Sequence, residues 1–402
     1  MQLSTMNIND LPDDCLLLIF DHFYQLRQFA TFMKVCRRWK ILVEKRLKKI
    51  THFDVTLATR LRRIDHSLEQ NNLLLARKCI ITISRKFLMK IKLSKLFPNV
   101  KIIHLENYAQ NCLCSALVHL LSKANQIKGL SVELESRLKN YSRYDKSHEC
   151  KILKREEKRL TSFLSDIEFL GISNDLIVTS YLRTFGHLKK LKSLGSSNYF
   201  YPVNSLHVLK FAQFLTNLER LVAFCNDESD DFVCVQDQLP IFNNILHLRL
   251  ESISNDGSTF TKFLNLCPNL INLSLSVYFA KIDQIRQINR NFNVQRLDLQ
   301  FYAQDQEKML TTTEKFPNCR YLSICSSCLL PSQDLIQIIS TLPHLSLLHV
   351  KNDCTDLAKT QIIKNYCHSQ NPKIDVYFGY SNKELMMSNE LYRKFDNPFL
   401  HK

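Results

Sequence analysis

Glycine is scarce in this chain, with six among 402 residues. There is no Gly-x-Gly-x-x-Gly turn and no Gly-x-x-x-x-Gly-Lys loop, so both common backbone cradles for a nucleotide phosphate are excluded. A Gly-x-Ser-x-Gly nucleophile elbow is also missing, and the thirteen histidines form no His-Glu-x-x-His pair. With nucleophile, base and cofactor loop all unrecognisable, neither an enzyme nor a cofactor is expected. No run of eighteen apolar residues occurs, so no membrane span is expected. Asp10, Asp13 and Asp14 interrupt the stretch where a secretory signal needs apolar continuity, and Phe399-Leu400-His401-Lys402 carries no prenylation signal.

Cysteine, by contrast, is plentiful. The fourteen are scattered, many at apolar-periodic positions such as Cys36, Cys79, Cys319 and Cys367. Without a secretory signal they read as reduced, buried thiols of a cytoplasmic or nuclear protein. Cys325-Ser326-Ser327-Cys328 has the spacing of a redox or metal pair, but a zinc site needs a second pair, and only single cysteines such as Cys319 and Cys354 are near in sequence. Cys112-Leu113-Cys114 and Cys367-His368 are likewise read as accidental, and no metal is expected.

Hydrophobic content of 45% with 23% charge describes a folded soluble chain. The net charge of +16 is unevenly spread: residues 1–101 carry 20 Lys/Arg against 8 Asp/Glu, and residues 202–402 carry 19 against 20. A basic face toward the N-terminal end follows, fit for acidic protein or nucleic acid or simply for solubility.

The first fifty residues organise the rest. Asp10 can cap a helix, and Pro12 sits where a first turn tolerates a missing N–H. Leu16, Ile19, Phe20 and Phe23 recur at three- and four-residue spacing, as do Phe29, Phe32, Met33 and Cys36; Trp39, Leu42 and Val43 continue toward a basic run at Lys45–Lys49. Three short helices of this kind carry more apolar side chains than so small a unit can bury alone, so a partner surface is expected. Leu11, Pro12, Leu16, Ile19, Phe20, Val35, Cys36 and Trp39 together resemble the F-box pattern at the expected spacing. The resemblance implies that these residues dock onto the Skp adaptor and, through it, a cullin-RING ubiquitin ligase.

Past the head an apolar-x-x-apolar-x-apolar unit repeats, starting at positions 100, 127, 167, 188, 218, 245, 270, 294, 319 and 345. From 218 onward the step is 24 to 27 residues, the period of a leucine-rich repeat. Asn stands just before six of these units (Asn99, Asn217, Asn244, Asn269, Asn293, Asn318), and Pro98, Pro268, Pro317 and Pro343 precede four of the ten. Proline stops the preceding helix, and Asn tolerates a left-handed turn into a strand. Phe260-Phe263-Leu264-Leu266 and Leu335-Ile336-Ile339-Leu342 have helical spacing between strands. Phe53-Val55-Leu57 and Ile81-Ile83 are candidate early strands, and Ile374-Val376-Phe378 a closing one. The inward Asn that usually ends such a strand is clear only at Asn226.

The chain as a whole is similar to F-box proteins with leucine-rich repeats. The resulting expectation is an α/β fold: a three-helix F-box at 1–50, then a curved solenoid at 51–380 with a parallel concave sheet and outer helices. A basic insertion at about 137–159 holds nine Lys/Arg and four Asp/Glu, and the tail at 381–402 offers a helical cap. On this reading Lys190, Arg220, His247 and Arg296 share one row of the concave face, with Lys192 and Arg249 beside it and Tyr321 farther along. Such a row suits an acidic or phosphorylated segment of a target protein. Two other readings stay open: an adaptor-binding scaffold with no part in ubiquitination, and a basic nucleic-acid-binding solenoid in which Tyr141 and Tyr144 stack on bases.

Overall fold

Each repeat places its first apolar anchor two residues before a strand, and the next two anchors inside it. The structure, a computed structural model, describes residues 7–57, 78–83, 93–108, 126–134, 165–172, 188–195, 203–210, 212–225, 240–252, 258–277, 280–301, 306–326, 331–351 and 357–379. The insertion at 137–159, Asn226, Cys112, Cys114, Cys328 and the tail from Ser381 lie outside the described residues. Two compact units divide the chain, Met1–Asn174 and Asp175–Lys402.

In the first unit, helices α1 (Asp13–Asp21), α2 (Leu26–Phe32) and α3 (Arg37–Lys48) precede strands β1 (His52–Leu57) and β2 (Lys78–Ile83), a short helix α4 (Leu93–Leu96), and strands β3 (Ile102–Tyr108), β4 (Gly129–Leu134) and β5 (Phe169–Ile172). Both early strands anticipated from the sequence are present. Their order is not sequential: the parallel sheet runs β2-β1-β3-β4-β5, with His52 paired to Lys78 on one side and Ile102 on the other. No linker separates head from sheet. Lys48 ends α3, Ile50 is buried, and the Asn99 side-chain amide donates to the Lys48 carbonyl at 2.7 Å. The change of architecture near residue 50 therefore falls inside one packed unit.

The second unit holds β6 (Ser193–Leu194), β7 (Val203–Asn204), α5 (Ser205–Lys210), β8 (Arg220–Cys225), β9 (His247–Ser252), α6 (Ser258–Asn265), β10 (Asn272–Ser276) and α7 (Ile282–Arg286). There follow β11 (Arg296–Phe301), α8 (Gln306–Thr313), β12 (Tyr321–Ser326), α9 (Ser332–Ser340), β13 (Leu347–Val350), α10 (Leu357–Ser369) and β14 (Asp375–Phe378). The strands pair in parallel in the order β6-β8-β9-β10-β11-β12-β13-β14, with the short β7 also on β8. This is the strand–helix solenoid of a repeat protein.

Register stacks the repeat residues into continuous apolar rows. Leu248, Leu273, Leu297, Leu322 and Leu348 are mutual neighbours, as are Leu250, Leu275, Leu299, Ile324 and Val350, and all are buried. Each such side chain removed from water contributes about 1.5–3 kcal/mol. Phe260, Phe263 and Leu264 of α6 are buried as their spacing foretold; in α9 Leu335 and Ile339 are buried with Leu342 just beyond, while Ile338 rather than the expected Ile336 completes the stripe.

The recurrent Asn works through its side chain. The amide nitrogens of Asn217, Asn244, Asn269, Asn293 and Asn318 donate to the carbonyls of Lys189, Thr216, Asn243, Pro268 and Phe292 at 2.5–3.1 Å. Each acceptor belongs to the previous repeat, so the row ties successive turns of the solenoid together and satisfies carbonyls that the turns leave unpaired.

One repeat is framed differently from the sequence expectation. Ser193 pairs with Arg220 and Leu194 with Leu221, so the anchors of β6 are Leu191 and Leu194, with Ser193 between them. Leu188, Leu191 and Leu194 are all buried at three-residue spacing, which makes the frame ambiguous in sequence. Gly195 then takes φ +84, and a Cβ there would strike the Val222 backbone. A glycine is needed at that close approach.

Candidate functional site

The head is built around Leu16, Phe20, Phe29, Trp39, Leu42 and Val43, all buried. Phe20 stacks on Phe32 at 5.3 Å and meets the Trp39 ring edge-on at 5.2 Å, while Phe23 closes the cluster against Phe32 at 4.8 Å. Arg46 of α3 is fully buried, with Nε 2.8 Å from Asp21 Oδ1 and its guanidinium over the Phe29 ring at 5.6 Å. A charge so placed is tolerable only because it is paired.

The segment before α1 is held by a clamp from α3. Arg38 donates through Nε to Asp13 Oδ1 at 2.8 Å, and through its two terminal nitrogens to the carbonyls of Asn9 and Leu11, each at 2.6 Å. Trp39 Nε1 adds a bond to Asn9 Oδ1 at 3.0 Å. Asp10 does not cap α1. It belongs to a 3-10 turn, Ile8–Asp10, that Asn7 caps, and Pro12 itself occupies the N-cap of α1. Cys36 likewise stands outside α2, as the N-cap of α3, its Sγ accepting from the Trp39 N–H at 3.4 Å. The clamp therefore fixes Leu11-Pro12 beside the start of α3, where Val35-Cys36 precedes Arg37.

The eight residues proposed for adaptor contact divide by exposure. Pro12, Val35 and Cys36 are exposed and Leu11 and Ile19 half-buried, whereas Leu16, Phe20 and Trp39 sit in the head's own core. Three apolar side chains absent from that set also stand in solvent: Ile8, Leu18 (65% exposed) and Ile41. Leu18 is hidden in sequence within the run Leu16-Leu17-Leu18, and only its offset from the Leu16–Phe20 stripe marks it.

The basic row in the second unit is rearranged by its own neighbours. Register places Arg220, His247, Asn272, Arg296, Tyr321 and Leu347 side by side. Lys190 is not among them. It lies three residues before Ser193, the partner of Arg220, because the frame expected for that repeat is shifted. Lys192 is exposed, just before β6, and its carbonyl accepts the Glu219 and Arg220 N–H groups. Arg249 pairs with Glu251 at 2.9 Å. Arg296 is 8% exposed, bonded to Asp298 at 3.0 Å and stacked over the Tyr321 ring at 4.6 Å. Tyr321 is fully buried, so it offers a target no surface.

Titration follows this burial. Burial pulls the Arg220 guanidinium down to about 10 against the attraction of Glu219. Burial, then Arg220 and Arg296, push His247 down to about 4, so its imidazole is neutral near pH 7, and Nδ1 accepts from the Asn272 amide at 2.9 Å. Next in the adjacent row come Asp298, Ser323 and His349. Burial opposes the Asp298 charge, but Arg296, Lys351 and a Ser323 hydrogen bond hold its carboxyl below the usual range. His349 is buried and lowered to about 4, donating from Nε2 to the Gly379 carbonyl at 2.9 Å.

In the first unit Asp54, His104 and Ser131 stand in register on β1, β3 and β4. They are the residue types of a hydrolytic triad, but at 6%, 3% and 1% exposure a substrate cannot reach them. Burial pushes the Cys367 thiol up to about 11 and the Cys267 thiol to about 12, so neither is a thiolate near pH 7. Among the described residues no cluster of His, Cys, Asp or Glu could hold a metal, and no helix is long and apolar enough to cross a membrane.

A three-helix head with exposed apolar side chains, followed by a parallel-strand repeat array, defines a class of modular repeat proteins. Residues 8–49 match the family model described as F-box-like, and the head is an F-box-like domain. No curated protein matches the chain. Among solved structures, a chain in the crystal structure of the Rad7 and Elc1 complex in yeast is similar at 16% identity, with 90% of this chain and 92% of that chain covered and a TM-score of 0.38.

Proposed function

We propose that the chain is the target-recognition subunit of a Skp–cullin–F-box ubiquitin ligase, acting in the cytoplasm or nucleus. The observation that carries this is the F-box-like domain at residues 8–49, whose own core holds Leu16, Phe20 and Trp39 while Pro12, Leu18, Val35 and Ile41 remain exposed for a partner. The buried three shape the docking surface, and the exposed ones supply its contacts. The repeats hold the target, an acidic or phosphorylated segment, so that a ubiquitin-conjugating enzyme carried by the ligase can reach its lysines. The contribution is proximity, with no chemistry by this chain.

The test is pull-down of a purified Skp adaptor by the full chain, followed by reconstituted ubiquitination with the cullin-RING core. Adaptor capture that disappears in Val35→Asp supports the reading. An intact chain that ignores the adaptor overturns it, and capture with no ubiquitin transfer to any bound protein leaves an adaptor-binding scaffold.

A further inference from the structure

The expected cation row on the sheet is largely occupied by its own acids, which leaves open where the repeats of the second unit grip a target. Beside the starts of β11, β12 and β13 is a cavity of about 450 Å³ lined by residues including Phe292, Asn293, Gln295, Asn318, Arg320 and His344. These are turn residues, the positions flanking the first anchor of each repeat. Phe292 is 57% exposed, and Arg320 and His344 are exposed. Among the described residues Arg320 has no ion-pair partner, unlike Arg249 and Arg296, and no Asp or Glu lines the cavity.

The chemistry of the lining is specific. Asn293 and Asn318 spend their amide N–H groups on the carbonyls of Pro268 and Phe292, which fixes the side chains and turns the ladder into a rigid floor. The Arg320 carbonyl accepts the Ser346 and Leu347 N–H groups and the Ser346 hydroxyl, so the backbone that carries the guanidinium is anchored as well. An exposed aromatic ring, an exposed guanidinium and an imidazole in one lining suit a carboxylate next to an apolar side chain.

We propose that this cavity is the target-binding site of the repeats, and that it takes an acidic peptide segment: a Glu or Asp carboxylate on Arg320, with the neighbouring apolar side chain on Phe292. The proposal rests on the reading that the repeats hold a target, and adaptor capture is measured on the same samples so that the two can fail separately. The experiment is fluorescence anisotropy of the full chain with a labelled library of short peptides alternating Glu or Asp with Leu or Phe. A matched Lys library and a labelled oligo-dT serve as controls.

Binding of acidic peptides that Arg320→Glu weakens at least tenfold and Phe292→Ala severalfold, with Arg249→Glu changing it less than twofold, is the expected result. Both principal substitutions are at exposed side chains, and unchanged thermal unfolding confirms the fold. Loss at Arg249→Glu with none at Arg320→Glu overturns the proposal in favour of the sheet face. Oligo-dT binding that depends on Arg320 without peptide binding overturns it in favour of nucleic acid. Absence of binding by every acidic peptide overturns it outright.

Discussion

Leu18, Val35 and Ile41 stand in solvent on the three-helix head, while Arg296, Ser323 and His349 lie buried on the side of the second unit's sheet expected to face solvent. The two regions break the same inside–outside rule in opposite directions, for different reasons. A domain of some forty residues has too little interior for its apolar side chains, so some remain outside and mark a contact surface. On the sheet, Arg296 meets Asp298 two residues along its own strand and Tyr321 on the neighbouring strand, which parallel pairing sets about 5 Å away, before any partner arrives. Exposed grease is evidence of a partner; polar residues along a strand are not, until their own partners are known.

The sharpest break of this comparison is at Arg46, the one cation buried in the head's core. Arg46→Ala leaves a void over Phe29 and leaves Asp21 without its closest cation, and should destabilise the unit by about 3–5 kcal/mol, whereas Arg46→Met refills the volume without restoring the charge and should recover only part of that loss. Denaturant unfolding of the full chain measures both. Next come the exposed residues. Leu18→Asp with Val35→Asp should weaken adaptor binding about a hundredfold, about 2.7 kcal/mol, while moving the unfolding midpoint by no more than about 0.5 kcal/mol. Calorimetry of adaptor binding beside thermal melts would show whether the surface is for contact or for packing.

The sheet of the second unit carries two buried imidazoles that make it sensitive to acid. His247 and His349 are held neutral, at about 4 against 6.5 when unfolded, so the unfolded chain binds more protons between those values. Their stabilising effect is complete above pH 6.5 and declines as pH falls toward 4, by roughly 2 kcal/mol for a buried imidazole such as His349. His349→Gln should flatten that slope in melts recorded from pH 7 to pH 4.5. The smallest effect concerns one rung of the amide ladder. Asn293→Ala removes a bond to the Pro268 carbonyl and should cost about 1 kcal/mol, with no change in adaptor binding.

Much of this was legible in the chain. The 24-to-27-residue period locates every strand from β8 to β13, because each repeat must present the same two anchors to a shared core. Two things were not. The frame around Leu188, Leu191 and Leu194 is degenerate, since apolar residues at three-residue spacing fit the repeat in more than one way, and Lys190 was placed three residues too far along. The asparagines were visible, but a side-chain bond to a carbonyl some 25 residues away has no local signature. Their amide ladder, like the core position of Trp39 and the exposure of Leu18, exists only between elements.

The sequence alone determined the head, the repeat and the parallel strand order of the second unit, because periodic burial of apolar groups is a property of spacing. Only the tertiary structure decided which polar side chains are spent inside the protein and which remain for a partner. That choice depends on which neighbour lies within hydrogen-bonding distance, and strands adjacent in space are some two dozen residues apart along the chain.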